Sequence, residues 1–399
     1  MVSVSGSMMQ TAALLWQVSL LAPPGRKGIA LGTVGLVRVL PIIFLSLFGG
    51  VVADSRGRRP LMLATQSALT LLAAGLAYLT LSGHATLPLV YIFAALTAAA
   101  TAFDAPARQA LTPNLVPRSD LPNALSLMTI LFQVASVVGP SLAGIVIATR
   151  GVGFAYALNA LSFLAVLGAV AAMRDVPEPP VGERSPVTIK AAVEGLQFVF
   201  RAPLIRGSML LDFFATFFAS ATTMLPIMVQ DVLKIGPRAY GWLYAAPAVG
   251  ALVAGLFMVG AVDKIERRGR VLFWAVAAFG VATVGFGFSR WFPLSYLCLA
   301  LTGATDTVST VLRNIIRQLS TPDSLRGRMT SVNMVFFMGG PQLGELEAGM
   351  VAQLFSAPIS VVSGGIGCLL AVGWIAARTP ELRRYRRSQA VLMSDAVGA

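Results

Sequence analysis

Apolar stretches, each about long enough to cross a bilayer, recur along the whole chain. A transmembrane helix needs roughly 20 predominantly apolar residues. Cutting the sequence where Arg, Lys, Pro and Gly cluster predicts twelve spans, at residues 2–22, 28–53, 60–81, 86–106, 123–148, 151–173, 205–230, 237–260, 270–289, 291–311, 327–355 and 357–377. The pattern therefore predicts an all-α integral membrane protein with twelve transmembrane helices.

A long polar stretch interrupts this pattern between spans 6 and 7. Its Pro-rich part, 176–186, predicts a linker, and residues 188–201 predict a short amphipathic helix at the membrane interface. Equal halves on either side of such a loop are typical of transporters built from duplicated six-helix repeats. The predicted domains are an N-terminal six-helix half (1–173), a cytoplasmic linker (174–204), a C-terminal six-helix half (205–377) and a basic cytoplasmic tail (378–399).

The composition agrees with a polytopic membrane protein. Of 399 residues, 56% are hydrophobic and 12% are charged, whereas soluble domains carry about 25% charged residues. The mean hydropathy is +0.77. The net charge of +13 indicates contact with anionic lipid and not with nucleic acid, because Lys and Arg collect in the cytoplasmic loops of membrane proteins. Most of the basic residues fall in loops on the side of both termini, which predicts that both are cytoplasmic.

The first span is unusual because it starts at the first residue and its first half is polar. Without a basic region in front, it does not resemble a cleaved signal peptide. Two interpretations remain. The chain starts upstream and helix 1 is truncated here, which we favour, or the helix begins partly within the bilayer with its polar face turned to a cavity.

Few residues in the chain are suited to enzymatic chemistry. There are one His and two Cys residues, and Cys298 and Cys368 lie in apolar stretches where we expect buried thiols. The sequence contains no glycine-rich phosphate-binding loop. We therefore predict no metal, no cofactor and no enzymatic activity.

The turn between spans 2 and 3 carries a recognisable motif. It reads Gly50-Val-Val-Ala-Asp54-Ser55-Arg56-Gly57-Arg58-Arg59. This resembles the signature GxxxD(R/K)xGRR of the major facilitator superfamily, which occupies the same loop; Ser55 stands where Arg or Lys is usual. We expect Gly50 to permit close packing, Asp54 to cap a helix or pair across the half-domain interface, and the arginines to bind lipid phosphate. A plain basic loop is the alternative.

A degenerate copy of this motif, 260–270, follows span 8 and includes Asp263. Its position supports the duplication, because the corresponding loop of the second repeat falls there. Asp263 and the residues of the first motif are therefore predicted to act in gating and at the interface between the halves.

Span 5 contains Gly139, Pro140 and Gly144. This segment resembles the GxxxGPxxGG motif of proton antiporters in the superfamily, with Ala at two glycine positions. A proline bend beside small residues lets a neighbouring helix approach closely. The resemblance favours export, while an ordinary kinked packing helix is the alternative.

Residues 103–123, 341–349 and 379–385 together resemble the enterobactin-exporter branch of the superfamily, with its drug and macrolide efflux permeases. The resemblance extends over residues 5–387. It implies alternating access, a cavity lined by helices 1, 4, 7 and 10, and outward transport driven by the proton gradient. It further implies a monomer in a bacterial cytoplasmic membrane, whose partners are protons, lipids and a small-molecule substrate.

Ionisable residues inside spans are costly and are therefore candidates for function. Proton coupling needs a carboxyl group that can lose its charge, and Asp212, Glu345 and Asp104 are the candidates. Asp212 comes first because Thr216, Ser220 and Thr223 follow it at helical spacing. The alternative for Asp212 is a salt bridge or cap at the end of helix 7.

Two acid–base pairs share a helix face, Asp104 with Arg108 and Asp306 with Arg313. We predict that both pairs are gate charges. Glu345 and Glu347 cannot both face a cavity. Arg38 lies in mid-span and needs either a carboxylate partner or an anionic substrate.

The predicted cavity-lining residues are Gln10, Gln17, Arg38, Thr216, Ser220 and Thr305. Four phenylalanines between positions 213 and 218 supply either a ligand surface or packing. The function that these features predict is a proton-coupled exporter of a siderophore or lipophilic drug. An uptake or passive facilitator of the same fold and a permease subunit that needs a separate ATPase are the alternatives.

Overall fold

The computed structural model describes residues 1–55, 58–117, 119–173, 196–197, 199–218, 221–321 and 323–388. This part of the chain contains twelve helices of 16 residues or more. They are α1 (Val2–Leu21), α2 (Lys27–Ser55), α3 (Arg58–Leu81), α4 (Leu87–Leu115), α5 (Leu121–Arg150), α6 (Val152–Ala172), α7 (Pro203–Phe218), α8 (Pro237–Ala261), α9 (Arg268–Phe288), α10 (Phe292–Leu319), α11 (Asp323–Leu354) and α12 (Ala357–Arg378). Each predicted span corresponds to one of them. The predicted linker helix lies largely outside the described residues.

Eight of these helices are long and apolar enough to cross a membrane by length and composition, whereas α1, α7, α10 and α11 are not. Within the described residues, α1 and α10 carry many buried polar side chains. A bilayer tolerates such helices only where their polar groups face protein or a water-filled cavity. The polar faces of α1 and α10 are therefore expected to lie away from lipid.

Interior prolines recur at equivalent places in the two predicted repeats. Pro41 lies in α2 and Pro140 in α5, and Pro247 and Pro341 lie in α8 and α11. Proline removes a helical hydrogen bond and bends the helix. The second and fifth helices of each repeat therefore share this feature.

Helix packing repeats in the same order. In the first repeat α1 packs against α5 and α6, and α3 against α4 and α6; in the second repeat α7 packs against α11 and α12, and α9 against α10 and α12. α2 packs against α4, and in α8 a Cβ atom at Gly250 would meet the carbonyl of Ala300 in α10. The internal duplication is thus visible in the packing of each repeat.

The seventh span differs from its prediction. We predicted one helix over 205–230, but α7 ends at Phe218, and the described residues continue with a turn at 221–224, one helical turn at Leu225–Ile227 and a π-helical turn at Met228–Val232. Pro226 cannot donate a backbone hydrogen bond, which favours a break here. α4 and α10 are longer than predicted, since they continue beyond residues 106 and 311.

The chain forms two compact units. Unit 1 comprises Met1–Glu183 and Leu225–Ala245, and unit 2 comprises Arg184–Met224 and Ala246–Ala399. The predicted division assigned 225–245 to the C-terminal half, so the contact-based units differ from it in this segment. The predicted boundaries of the repeats themselves stay a prediction.

Specific contacts within unit 1 explain this grouping. The Tyr240 hydroxyl donates to the Ala12 carbonyl at 2.8 Å, and the Tyr240 ring lies 4.9 Å from that of Trp16. Gln230 donates to the Ser19 hydroxyl at 2.7 Å. The segment 225–245 is therefore hydrogen-bonded to α1.

Candidate functional site

Four charged side chains of unit 2 form a cluster between α7 and α10, which we call the charge cluster. Asp212 Oδ1 lies 2.9 Å from Arg313 Nη1, and Asp212 Oδ2 lies 3.8 Å from Arg317 Nη1. Asp306 Oδ1 lies 3.4 Å from Arg313 Nη2. The side chains of Asp212 and Arg313 are 4% and 2% exposed, while that of Asp306 is 47% exposed. The cluster therefore joins a buried carboxylate to a half-exposed one through a buried guanidinium.

Helical spacing produces the α10 part of the cluster. Asp306, Arg313 and Arg317 are seven and four residues apart, so they lie along one helix face. Two acidic and two basic groups balance, which is the condition under which buried charges persist. Neutral side chains also accept hydrogen bonds from the two guanidinium groups. Arg313 donates to Thr310 at 2.7 Å and Arg317 to Asn314 at 3.1 Å.

The cluster decides two predictions about pairing. The predicted Asp306–Arg313 pair is confirmed. For Asp212 the structure contains the salt bridge that was the alternative to a free cavity-facing acid. Thr216 donates to the backbone carbonyl of Asp212 at 2.9 Å and not to its carboxylate. Ser220 lies outside the described residues, and Thr223 lies in the turn beyond α7, so the predicted polar stripe does not continue along the helix.

A second buried acid, Asp104, lies between α3 and α4 in unit 1. Thr65 and Gln66 donate to Asp104 Oδ1 at 2.9 and 2.8 Å. Arg108 donates to Oδ2 at 2.7 Å, which confirms the predicted pair. Thr65 and Gln66 of α3 were not predicted as partners of Asp104. Two adjacent polar residues within an apolar span were the signal in the sequence that could have indicated such a contact. The roles of Asp104 in coupling and Arg108 in gating stay predictions.

Polar residues of α1 are hydrogen-bonded to other helices of unit 1. Asn159 donates to Gln10 at 2.6 Å, and Tyr156 donates to Gln17 at 2.6 Å. Gln17 in turn donates to Thr80 at 2.9 Å. Gln10 and Gln17, predicted to line a cavity, are thus buried and engaged with α6 and α3. Asn159 and Tyr156 were not singled out in the sequence.

Arg38 was expected to have a carboxylate partner. Its Nη2 donates to the Thr11 hydroxyl at 3.3 Å, and no acidic side chain in the described part of the chain forms an ion pair with it. Arg38 as a whole is half-buried. The expected carboxylate is therefore absent among these residues, and a role in binding an anion stays a prediction.

The loop after α2 is described in part. The backbone is helical to Ser55, whereas Arg56 and Gly57, the burial of Gly50, and the side chains of Asp54 and Arg58 lie outside what the structure describes. Arg59 donates to the carbonyls of Val170 and Ala171 at 3.1 and 2.8 Å. Arg59 therefore caps the C-terminal end of α6, where the helix dipole favours a cation.

The degenerate copy of the motif contacts the C-terminal segment of unit 2. Arg387 donates to the carbonyl of Asp263 and, through its backbone amide, to that of Glu266 at 2.9 Å. The Gly269 amide donates to the Tyr385 carbonyl at 3.1 Å. Asp263 thus contributes its backbone carbonyl to the attachment of this segment.

The small residues of α5 admit two neighbouring helices. A Cβ atom at Gly139 would lie 2.5 Å from the Ser5 carbonyl oxygen of α1. A Cβ atom at Gly144 would lie 2.7 Å from the Pro237 carbonyl oxygen and 2.8 Å from Gly241 Cα of α8. The close approach that we expected beside Pro140 is therefore present in unit 1.

The remaining residues singled out in the sequence lie on α7, α10, α11 and α12. Thr305 donates to the Leu301 carbonyl of its own helix at 2.7 Å, and Glu345 and Glu347 are half-buried in α11. The phenylalanines of α7 stack on one another, with Phe213 against Phe336 and Phe214 against Trp374. Cys298 and Cys368 are buried and free.

Comparison with known proteins decides the family. Residues 1–393 match the family described as transmembrane secretion effectors. The chain belongs to this family. The predicted resemblance to the major facilitator superfamily and the all-α membrane fold are confirmed. This transmembrane secretion effector is a multi-pass membrane transporter and not an enzyme.

Relatives and solved structures agree with this assignment. The enterobactin exporter EntS of Shigella boydii serotype 18 (strain CDC 3083-94 / BS512) is 27% identical over 86% of this chain and 81% of its own. Among structures, a D-xylose-proton symporter has a TM-score of 0.73 at 13% identity, covering 96% of this chain and 98% of its own. A bacterial homologue of ferroportin has a TM-score of 0.70 at 15% identity, with 96% of both chains covered.

Proposed function

We propose that this transporter exports a small amphipathic molecule, a catecholate siderophore or a lipophilic drug, in exchange for protons and by alternating access. The charge cluster between α7 and α10 is the observation that carries the proposal. The relatives named as enterobactin exporters support the direction and the substrate class. The protein acts as a monomer in a bacterial cytoplasmic membrane with both termini in the cytoplasm, and the proton gradient supplies the energy without a cofactor.

In this mechanism the transported proton binds to the carboxylate of Asp212. The ionised carboxylate binds Arg313 and Arg317 and so ties α7 to α10. A proton on Asp212 removes the charge that attracts both guanidinium groups, and Asp306 remains as an acceptor for Arg313. The ionised and protonated clusters therefore favour different arrangements of the two helices, which couples proton movement to a conformational change.

Contacts within unit 1 form the outer gate of the proposed cycle. Lys27 Nζ lies 3.0 Å from Asp231 Oδ1 and 3.2 Å from Gln230 Oε1. With the N-terminus in the cytoplasm, the end of α1 and the start of α2 face outward. Release of substrate to the outside requires that the segment 225–245 move away from them.

Cross-linking this gate is expected to stop transport. In a chain carrying Lys27→Cys and Asp231→Cys, a short reducible thiol cross-linker should abolish substrate release, because the native side-chain atoms lie 3.0 Å apart. A reductant should restore transport, and each single cysteine variant should remain active under the same treatment. Full transport by the cross-linked protein would contradict a gate at this position.

Everted membrane vesicles test the proposed function. When a substrate enters the acidified lumen, the transporter should move protons out in exchange. Catecholate siderophores and lipophilic cationic and macrolide drugs are therefore tested for their ability to collapse the pH gradient. A variant with Asp212→Asn and Arg317→Gln keeps the cluster balanced, and we expect it to bind substrate without moving protons. Glu345→Gln and Asp104→Asn are the comparison variants.

Each outcome of this experiment assigns a mechanism. Loss of proton movement in the balanced variant alone supports coupling at Asp212, and loss in Glu345→Gln or Asp104→Asn alone moves coupling to that acid. Substrate entry that stops at equal concentrations on the two sides, without proton movement, would contradict antiport and favour a passive facilitator. Accumulation that requires ATP in vesicles without a proton gradient would favour a permease subunit with a separate ATPase.

A further inference from the structure

An apolar groove with a cationic end lies on unit 2 between α9 and α12. Its volume is about 610 Å³. Phe273 and Trp274 of α9 and Val372 and Ala376 of α12 line it. Trp274 is 76% exposed. The groove is thus apolar along two helices and open on the surface of the unit.

Arginines converge at one end of the groove. Arg270 at the start of α9 and Arg383 and Arg384 of the short helix α13 (Pro380–Arg384) belong to its lining. An adjoining space of about 370 Å³ is lined by these three together with Arg267 and Arg386. None of Arg270, Arg383 and Arg384 forms an ion pair with a described carboxylate. Positive charges gathered in this way repel one another unless an anion lies between them.

The backbone that carries Arg383 and Arg384 is anchored to the rest of unit 2, while the two side chains are exposed. Leu382 and Tyr385, which flank Arg383 and Arg384, are 0% and 2% exposed. A Cβ atom at Gly269 would meet the Leu382 carbonyl, so glycine permits this close contact. Burial raises the pKa of the Tyr385 hydroxyl. The cationic end is therefore part of the folded unit.

The combination of an apolar groove and a cationic end on anchored backbone matches one kind of molecule. Arginine pairs well with phosphate, and basic sites at the cytoplasmic membrane surface recognise anionic lipid head groups. A free phosphate would leave the apolar part of the groove unused. We propose that this groove binds an anionic phospholipid, with its phosphate on Arg270, Arg383 and Arg384 and an acyl chain along Trp274.

Fluorescence quenching tests the proposal. The full chain is reconstituted in phosphatidylcholine bilayers containing a small fraction of brominated phosphatidylglycerol or brominated phosphatidylcholine. The signal of Trp274 is obtained by difference from Trp274→Phe. We expect stronger quenching by phosphatidylglycerol, and each of Arg270→Gln, Arg383→Gln and Arg384→Gln should lower the lipid preference by roughly fivefold.

Matched variants separate charge from structure. Arg238→Gln makes the same charge change at an exposed position at the start of α8, and it should leave the preference unchanged. Replacing the three arginines with lysine should keep most of the preference, because the charge remains. Inorganic phosphate should compete only weakly with phosphatidylglycerol and so should reduce the quenching of Trp274 only slightly.

Several results would overturn the proposal. Equal quenching by the two lipids would do so, as would an unchanged preference when Arg270→Gln, Arg383→Gln and Arg384→Gln are combined in one chain. Complete displacement by inorganic phosphate would assign a simple anion site. Quenching that appears only after removal of residues 389–399 would mean that these residues, and not a lipid, occupy the groove in the full chain.

Discussion

Replacing Asp212 with Asn is expected to destabilise the transporter by about 3–5 kcal/mol, because removal of one partner leaves a buried charge without compensation. Arg313 and Arg317 are 2% and 4% exposed, so water cannot replace the lost carboxylate. Asp306, which lies near Arg313, would then be the one carboxylate left in the cluster for two guanidinium groups. The unfolding temperature of the purified protein in detergent measures the effect.

A second substitution is expected to restore part of this loss. Arg317→Gln in the Asp212→Asn background leaves one acid and one base, Asp306 and Arg313, which lie 3.4 Å apart in the unaltered protein. Asp306→Asn alone is the matched control. Its side chain is 47% exposed, so we expect a loss of at most about 1 kcal/mol. Equal losses in Asp212→Asn and Asp306→Asn would contradict a buried cluster centred on Asp212.

Addition of a methyl group at Gly144 is expected to have the second largest effect. The new Cβ atom of Gly144→Ala would lie 2.7 Å from the Pro237 carbonyl oxygen and 2.9 Å from the Gly241 nitrogen. These are backbone atoms, so α5 and α8 must separate. We expect a loss of about 1–3 kcal/mol in stability together with reduced transport, because Gly144 adjoins the proposed gate segment.

Gly168 provides the matched control for this substitution. A Cβ atom at Gly168 in α6 would have no heavy atom within 4 Å. Since Ala favours a helix over Gly by roughly 0.5–1 kcal/mol, Gly168→Ala should be neutral or slightly stabilising. Gly241→Ala changes the same contact from the α8 side. The stability loss of the double variant should therefore be smaller than the sum of the losses of Gly144→Ala and Gly241→Ala. A melting temperature for Gly144→Ala equal to that of Gly168→Ala would show that the helices can separate without cost.

Features that depend on neighbours along the chain could be predicted from the sequence. Eight of the twelve helices follow from apolar length, and the bounds of the other four follow from the Arg, Lys, Pro and Gly residues that cluster around them. The Asp104–Arg108 and Asp306–Arg313 pairs follow from helical spacing, and both are present. The close approach beside Pro140 follows from the small residues around it. Each of these depends on one helix and on the geometry that all α-helices share.

Contacts between helices distant in sequence could not be predicted in this way. Spacing placed Asp212 on a polar stripe of α7, but its partners lie about a hundred residues further along, in α10. Gln10 and Asn159 are separated by 149 residues, and nothing in either helix indicates the other. The break after Phe218 was also missed, since hydropathy alone does not distinguish a continuous helix from an interrupted one.

The amino-acid sequence by itself determined that this chain is an all-helical membrane transporter of the major facilitator type, because hydrophobic length and local motifs carry that information. The tertiary structure decided which polar groups are engaged. It paired Asp212 with Arg313, attached the segment 225–245 to unit 1, and brought Arg270 together with Arg383 and Arg384 at one groove. The physical reason is that buried charges and hydrogen-bonding groups must find partners wherever packing places them.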